Sequence, residues 1–323
     1  MNDENNNYIE VHRNAGVDLI KAVSIIAIII THYTFSEDTR AIFVFPYLIN
    51  LAMPCLMIIT GYNAGNRNGI FTYKNTLTYL VRLFPAWLIA MFVEIYLFRS
   101  WKSMSIYNIY QTLIVRQNYG QGSYFPWVYL KLTVLLPLID LIIRKLRRLG
   151  LAGLIVLNLL FEIFVSLMDM DPVTYRLASM RYLGFVAVGL YYGRFKCSVK
   201  KKNLVLGAVI GGFIVYFLNY HEPLFLFKQW RSTSLPVILF AFVFVYIIIE
   251  DWHFKSRFIE IIARSTFHIF LVQMIYYRFY YQYVANLIKP AAIRIIINLL
   301  ICIPAGMVFW SLDKQITNMK MRD

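Results

Sequence analysis

Three ionisable residues set in one apolar stretch carry the chemistry open to this chain. Asp18, Lys21 and His32 interrupt the run from Arg13 to Tyr33, whose other residues from Leu19 onward are almost all aliphatic. On a helix, Asp18 to Lys21 turns by about 300° and Lys21 to His32 by about 1100°, so the three share a stripe roughly 60° wide. Lys21 and His32 then stand about 16 Å apart along the axis. An ionisable side chain at the centre of a span costs about 2.5–3.5 kcal/mol on insertion scales, so the stripe faces a bundle interior or a wet cavity, not lipid. A neutral, half-buried imidazole in such a place is poised as a general base. The structural alternative pairs Asp18 with Lys21 at the membrane edge and lets His32 satisfy a neighbouring helix. A cation at the same azimuth three turns below the ring favours the functional reading.

The elements that hold this stripe follow from composition. Of 323 residues, 59% are hydrophobic and 15% charged, more apolar surface than a soluble fold of this length can hide. Aromatic residues make up 17%, as expected where rings line membrane interfaces. The chain therefore reads as all-α, a polytopic membrane bundle of about ten helices with no separate soluble domain. A ruler of about twenty apolar residues places them near 15–36, 42–62, 77–98, 124–143, 150–168, 179–194, 203–220, 233–250, 265–286 and 291–311. Residues 1–14 and 313–323 are left as cytoplasmic tails flanking a membrane domain over 15–312.

Charge sets the expected orientation. Basic residues crowd alternate gaps: Arg67 and Lys74, then 144–148, 194–202, 255–264 and the tail from Lys314. The intervening gaps hold fewer, which puts both termini in the cytoplasm. Because the formal charge of +15 is spread over these clusters, it reads as topology rather than a nucleic-acid footprint. Cys55, Cys197 and Cys302 stand at neither metal-ligand nor redox spacing, so no metal site is expected. The N-terminus lacks a short apolar stretch with a cleavage site, so the first span is expected to stay. The gap over 99–123, rich in Tyr, Trp, Asn and Gln, reads equally as an interfacial helix or lid and as a plain loop.

Several segments, in order, resemble the acyltransferase family 3 membrane O-acyltransferases over roughly 13–312. The first is the Asp18, Lys21, His32 stripe itself, a basic residue and a His with ten residues between them. Next come Pro54-Cys-Leu-Met-Ile-Ile-Thr60-Gly61-Tyr62 and Tyr79-Leu-Val-Arg82-Leu-Phe-Pro85. Pro126-Trp127-Val-Tyr129 with Pro137, Arg181-Tyr-Leu-Gly184 through Gly189, and Ser265 through Leu271-Val-Gln273 complete the set. Three positions depart from the family pattern. Thr60 replaces a Ser and keeps the hydroxyl, Tyr79 stands where a first Arg is expected, and Gln273 replaces a second His and cannot do acid–base work.

The resemblance implies transfer of an acyl group, acetyl foremost, from cytoplasmic acyl-CoA to a hydroxyl of a cell-surface polysaccharide or its lipid-linked precursor. It implies His32 and Asp18 as catalytic residues, and Lys21 and Arg82 as acyl-donor ligands. Thr60, Tyr62, Trp127 and Arg181 are the acceptor or oxyanion candidates. Acyl-CoA, acetyl-CoA foremost, is then a co-substrate, with no permanently bound cofactor and no nucleic-acid partner. The implied partners are membrane lipids and a carbohydrate, and the implied place is the plasma membrane of a bacterium. Glu94 and Glu162 read as interfacial carboxylates that can also meet a sugar. His12, His221 and His253 carry no signal, and His268 reads as core. A flippase or transporter is the rival reading, since buried charges also mark substrate pathways. Pro54, Pro236 and Pro304 do not form the matched pair of interrupted helices that such folds show. A scaffold or anchor protein would explain the spans and leave the stripe without a purpose.

Overall fold

The computed structural model describes residues 14–32, 44–67, 69–97, 124–221, 227–231, 233–285, 287–288 and 290–320. Among them the chain is all-helical, with no strand. In order come α1 (Ala15–Thr31), a π-helical turn over Phe45–Ile49 leading into α2 (Ala52–Gly65), and α3 (Tyr73–Leu97). The helical run Tyr124–Leu167 is broken at Arg147, whose φ of 47° and ψ of −118° lie outside the helical region. It therefore forms two helices, α4 (124–146) and α5 (148–167). They fold back on each other: a Cβ on Gly150 would sit 2.7 Å from the carbonyl oxygen of Ile142. A straight helix would separate those residues by about 12 Å.

Beyond that hairpin lie α6 (Pro172–Leu177), α7 (Leu183–Phe195) and α8 (Lys201–Tyr220). The chain ends with α9 (Ile238–Asp251), α10 (Arg257–Phe279) running into a π-helical turn over Tyr280–Val284, and α11 (Ala291–Lys320). Each segment read as a span from the sequence contains a helix. Several boundaries differ, most widely at two ends of the C-terminal helices. α10 starts at Arg257 rather than 265 and α11 runs to Lys320 rather than 311, because helical turns continue past the apolar window that hydropathy detects. The tail before Asn14 and the segment 99–123 lie outside the described residues.

Five helical stretches among the described residues are long and apolar enough to cross a membrane: Phe45–Gly65, Phe125–Leu167, Lys201–Tyr220, Arg257–Val284 and Ala292–Ile316. Large apolar side chains cover much of the exterior, and a set of polar and charged side chains is buried within the apolar core. Val81, Phe92, Val209, Phe213, Leu300 and Val308 are exposed, whereas Asp18, Asp140, Asn158, Glu162, Arg181 and Asn298 are buried. That distribution suits lipid as the solvent and places the site-forming residues inside.

Close packing of α2 on α7 aligns the frame. Gly61 and Gly65 on α2 interlock with Gly189 and Gly193 on α7, the small-xxx-small spacing that lets two backbones touch. A Cβ on Gly189 would lie 1.9 Å from Ile58 O, and one on Gly61 2.0 Å from Val186 O. The N-terminus of α1 is fixed separately. Asn14 caps it by accepting from the Val17 N–H at 3.1 Å, and its amide donates to Ile249 O on α9 at 3.2 Å. Since backbone atoms cannot yield to a new methyl, Gly189→Ala is expected to cost about 1–3 kcal/mol. Gly153 is the control: a Cβ added there would meet nothing within 4 Å, and its change to Ala should be neutral or stabilising by about 0.5–1 kcal/mol. Thermal unfolding of both variants in detergent checks the contrast.

Candidate functional site

A cavity of about 1160 Å³ opens between α1, α2, α3, α4 and α10. α1 contributes Asp18 and Lys21, α2 contributes Thr60, Tyr62 and Asn63, and the two residues after it contribute Asn66 and Arg67. Lys255, Ser256, Arg257, Glu260 and Arg264 line it where α10 begins. Leu56, Ile59, Phe125, Tyr129, Phe267 and Phe270 line its apolar part. The cavity therefore has a basic, amide-rich mouth and an aromatic inner end. Phe125 and Phe270 meet there at 4.6 Å between ring centroids.

Buried charge holds the mouth in shape. Asp140 on α4 has no exposed surface and accepts from Arg194 at 2.9 Å, from Arg144 at 3.0 Å and from the Phe71 N–H at 2.8 Å. Arg194 in turn donates to the carbonyls of Arg67 and Gly69 at 2.9 Å each, and Arg144 also reaches Gly69 O. Separate stretches of chain are thus tied to one carboxylate. A charge in low dielectric survives only with such partners. Beside it, Arg67 donates to the Tyr79 hydroxyl at 2.8 Å and lies 5.1 Å over that ring. Tyr79, where the sequence lacks the expected arginine, holds an arginine from the preceding loop at the cavity wall.

The residues singled out from sequence divide into groups. Asp18, Lys21, Thr60 and Tyr62 line the cavity. The Thr60 hydroxyl donates to Leu56 O at 2.8 Å, and the Tyr62 hydroxyl accepts from Lys196 at 2.8 Å. His32 stands just past the end of α1 and is not among the lining residues. Its ring lies 5.8 Å from that of Tyr277, and its carbonyl accepts from the Tyr281 hydroxyl. Between Lys21 and His32 the stripe is packed: Ile25, Ile28 and Ile29 are buried, and Tyr277 donates to Ile29 O at 2.5 Å. Asp18 is about 21 Å from His32 along the helix and shares the mouth with Lys21 instead.

Trp127 and Arg181 lie away from the cavity lining. Trp127 stacks on Trp87 at 6.1 Å with the Lys131 ammonium 5.5 Å over its ring. Arg181 is buried against the rings of Tyr175 and Tyr182, at 4.7 and 5.3 Å, and donates to Thr233 at 2.5 Å. Glu162 joins that cluster by accepting from the Tyr175 hydroxyl at 2.8 Å. Arg82 and Glu94 lie on α3, Glu94 nearer its end, and their side chains lie outside the described residues. His268 is buried, as expected of a core residue, and it also pairs with Asp313 of α11 at 3.0 Å.

Sequence reasoning missed Arg67, Lys255 and Arg257 as site residues because each reads as a topology charge, and it missed Asp140 altogether. Only the i, i+4 spacing of Asp140 and Arg144 hinted at a pair. Asp140→Ala would leave two arginines uncompensated, which should cost about 3–5 kcal/mol. Increased proteolysis between residues 67 and 71 alongside a lower melting temperature would report that loss; unchanged cleavage there would separate the loop from the carboxylate.

Comparison with known proteins adds one positive finding. The family model described as an acyltransferase domain matches residues 14–312, nearly the whole chain. Searches of curated proteins and of solved structures give no match. A helical bundle with buried polar side chains, apolar exterior helices and a basic internal cavity, matched over that span, belongs to the acyltransferase 3 family of membrane acyltransferases.

Proposed function

We propose that the protein moves an acyl group, acetyl in the simplest case, from acyl-CoA to a hydroxyl of a cell-surface polysaccharide or its lipid-linked precursor. The observation that carries this reading is the cavity's polarity gradient. Lys21, Arg67, Lys255, Arg257 and Arg264, with Asp18 and Glu260 among them, line one part, and Phe125, Tyr129, Phe267 and Phe270 line another. Acyl-CoA has the matching form: phosphates on a nucleotide, then a long thin arm with amide groups, then a thioester. The phosphates pair with the mouth cations. The amide of the arm nearer the phosphates meets Asn63 and Asn66, and the thioester points toward the Phe125–Phe270 floor. The positive-inside pattern puts this mouth on the cytoplasmic face, where the donor is made.

His32 is the general base at the other end. It takes the proton of the acceptor hydroxyl as the oxygen attacks the thioester carbonyl carbon. The carbon–oxygen bond forms and the tetrahedral oxyanion collapses. The carbon–sulfur bond breaks, and the imidazolium returns the proton to the departing thiolate. Free thiol and ester leave, with atoms and charge balanced. The floor rings turn aside for the thioester to reach the imidazole, since the packed stripe closes that route at rest. Asp18 shares Lys21's face at the mouth and tempers its charge, a donor-binding role. Arg181 and Glu162 brace the far end of the bundle. A transporter reading has less support here, because the family model matched over residues 14–312 is an acyltransferase domain.

His32→Ala, inserted normally in the membrane, should keep acyl-CoA affinity and lose acyl transfer by about 10²–10⁴-fold, the usual range for a positioned base. Retained transfer would refute the role given to His32. Removing a mouth cation should act in the opposite sense. Lys21→Ala should weaken acyl-CoA binding by about tenfold, the effect of one charge-assisted contact. Isothermal titration with CoA reads this, and an unaltered affinity would take Lys21 out of donor binding.

A further inference from the structure

Gln273 on α10 is fully buried, and among the described residues neither its Nε2 donor nor its Oε1 acceptor has a hydrogen-bond partner. A carboxamide left unmet at both ends in an apolar interior is destabilising, and native proteins seldom keep one without a ligand or water to meet it. Its place on the helix says which ligand. Phe270, three residues earlier, forms the cavity floor, and Tyr277, four residues later, lies beside the His32 ring. At 100° per residue these three fall within about 60° of one face, along about 10 Å of axis. Helical side chains lean toward the N-terminal end, so Gln273 leans from the Tyr277 level back toward the floor. It stands on the stretch of α10 between cavity and imidazole. α1 packs on α10, and its Ile25, Ile28 and Ile29 are buried.

We propose that Gln273 polarises the thioester carbonyl, as a catalytic residue that carries no proton. Its Nε2–H donates to the carbonyl oxygen once the acyl end has passed Phe125 and Phe270. Its Oε1 accepts from the nearest amide N–H of the arm. This rests on the acyl-CoA reading above. As the acceptor oxygen attacks, negative charge builds on the carbonyl oxygen and the Nε2–H bond strengthens, which is the differential stabilisation that accelerates a step. No proton leaves the carboxamide. The hydroxyl proton goes to His32 and then to the thiolate, as before. Because a carboxamide does not titrate, its contribution is the same at every pH.

The test uses the full-length protein in lipid nanodiscs with acetyl-CoA and an accepted hydroxyl substrate. Gln273→Met, close in volume and without the amide, should lower kcat by about 100-fold or more while KM for acetyl-CoA moves little. The pH profile should keep its shape and drop uniformly, and the melting temperature should hold or rise, since an unmet polar group has gone. A kcat within about twofold of wild type would overturn the proposal. A second measurement needs no variant. In the wild type, the infrared band of acetyl-CoA labelled with ¹³C at the thioester carbonyl should shift to lower frequency on binding. Binding with an unshifted band overturns the role of Gln273 alone. Failure of the wild type to bind any acyl-CoA overturns the donor reading and this proposal together.

Discussion

A carboxylate with no exposed surface needs every lone pair met, and Asp140 meets its own by drawing separate stretches of chain together. Everything at the basic end of the bundle depends on that requirement. Arg194 arrives from α7, Arg144 from the last turn of α4 before the hairpin, and the Phe71 N–H from the loop that also carries Arg67. Since α7 is locked to α2 by interdigitated glycines, the clamp fixes α2, α4 and α7 as one frame. The cavity is the space that this frame leaves against α1 and α10. The charges that give it a basic mouth are the cations around the clamp and at the start of α10, where Arg264 also pairs with Glu260.

The first helix shows how far residue spacing reaches. Asp18, Lys21 and His32 could be put on one face from sequence because an isolated helix has one period, and the cavity takes up two of them. What spacing could not say was where the cavity stops. Its floor is set by Phe125 and Phe270, which come from α4 and α10 and meet only in three dimensions. The same holds for His268, whose Asp313 partner lies across a helix interface. Hydropathy found the helices and missed their polar extensions, as at the start of α10. It also could not register the two π-helical turns, at Phe45–Ile49 and Tyr280–Val284, since a widened turn leaves no compositional mark. Arg67 was legible only as a loop charge. Its attachment to Tyr79 turned an apparent gap in the arginine pattern into a cation supplied from elsewhere.

Lys21 and His32 thus belong to one face and to different compartments of the molecule. The lysine faces a wet, basic cavity, and the imidazole sits past a packed stretch at the aromatic end, beside Tyr277 and Tyr281. Such a division suits a reaction whose donor is charged and comes from one side while its acceptor comes from the other. A continuous open pore would leak ions and admit water to the thioester. The buried hydrogen bonds around Tyr277, which gives to Ile29 O at 2.5 Å and takes from Asn298 at 3.1 Å, hold the helix face beyond that floor in register with α1.

The central claim is that one route joins the basic mouth to His32. An acyl-CoA analogue with a photoreactive diazirine at the acyl end, bound in nanodiscs, irradiated and mapped by mass spectrometry, tests it most directly. Adducts on Phe270, Tyr277 and His32, abolished by excess CoA, are the predicted result. Adducts confined to mouth residues such as Asn66 and Arg264, or insensitive to CoA, would contradict it.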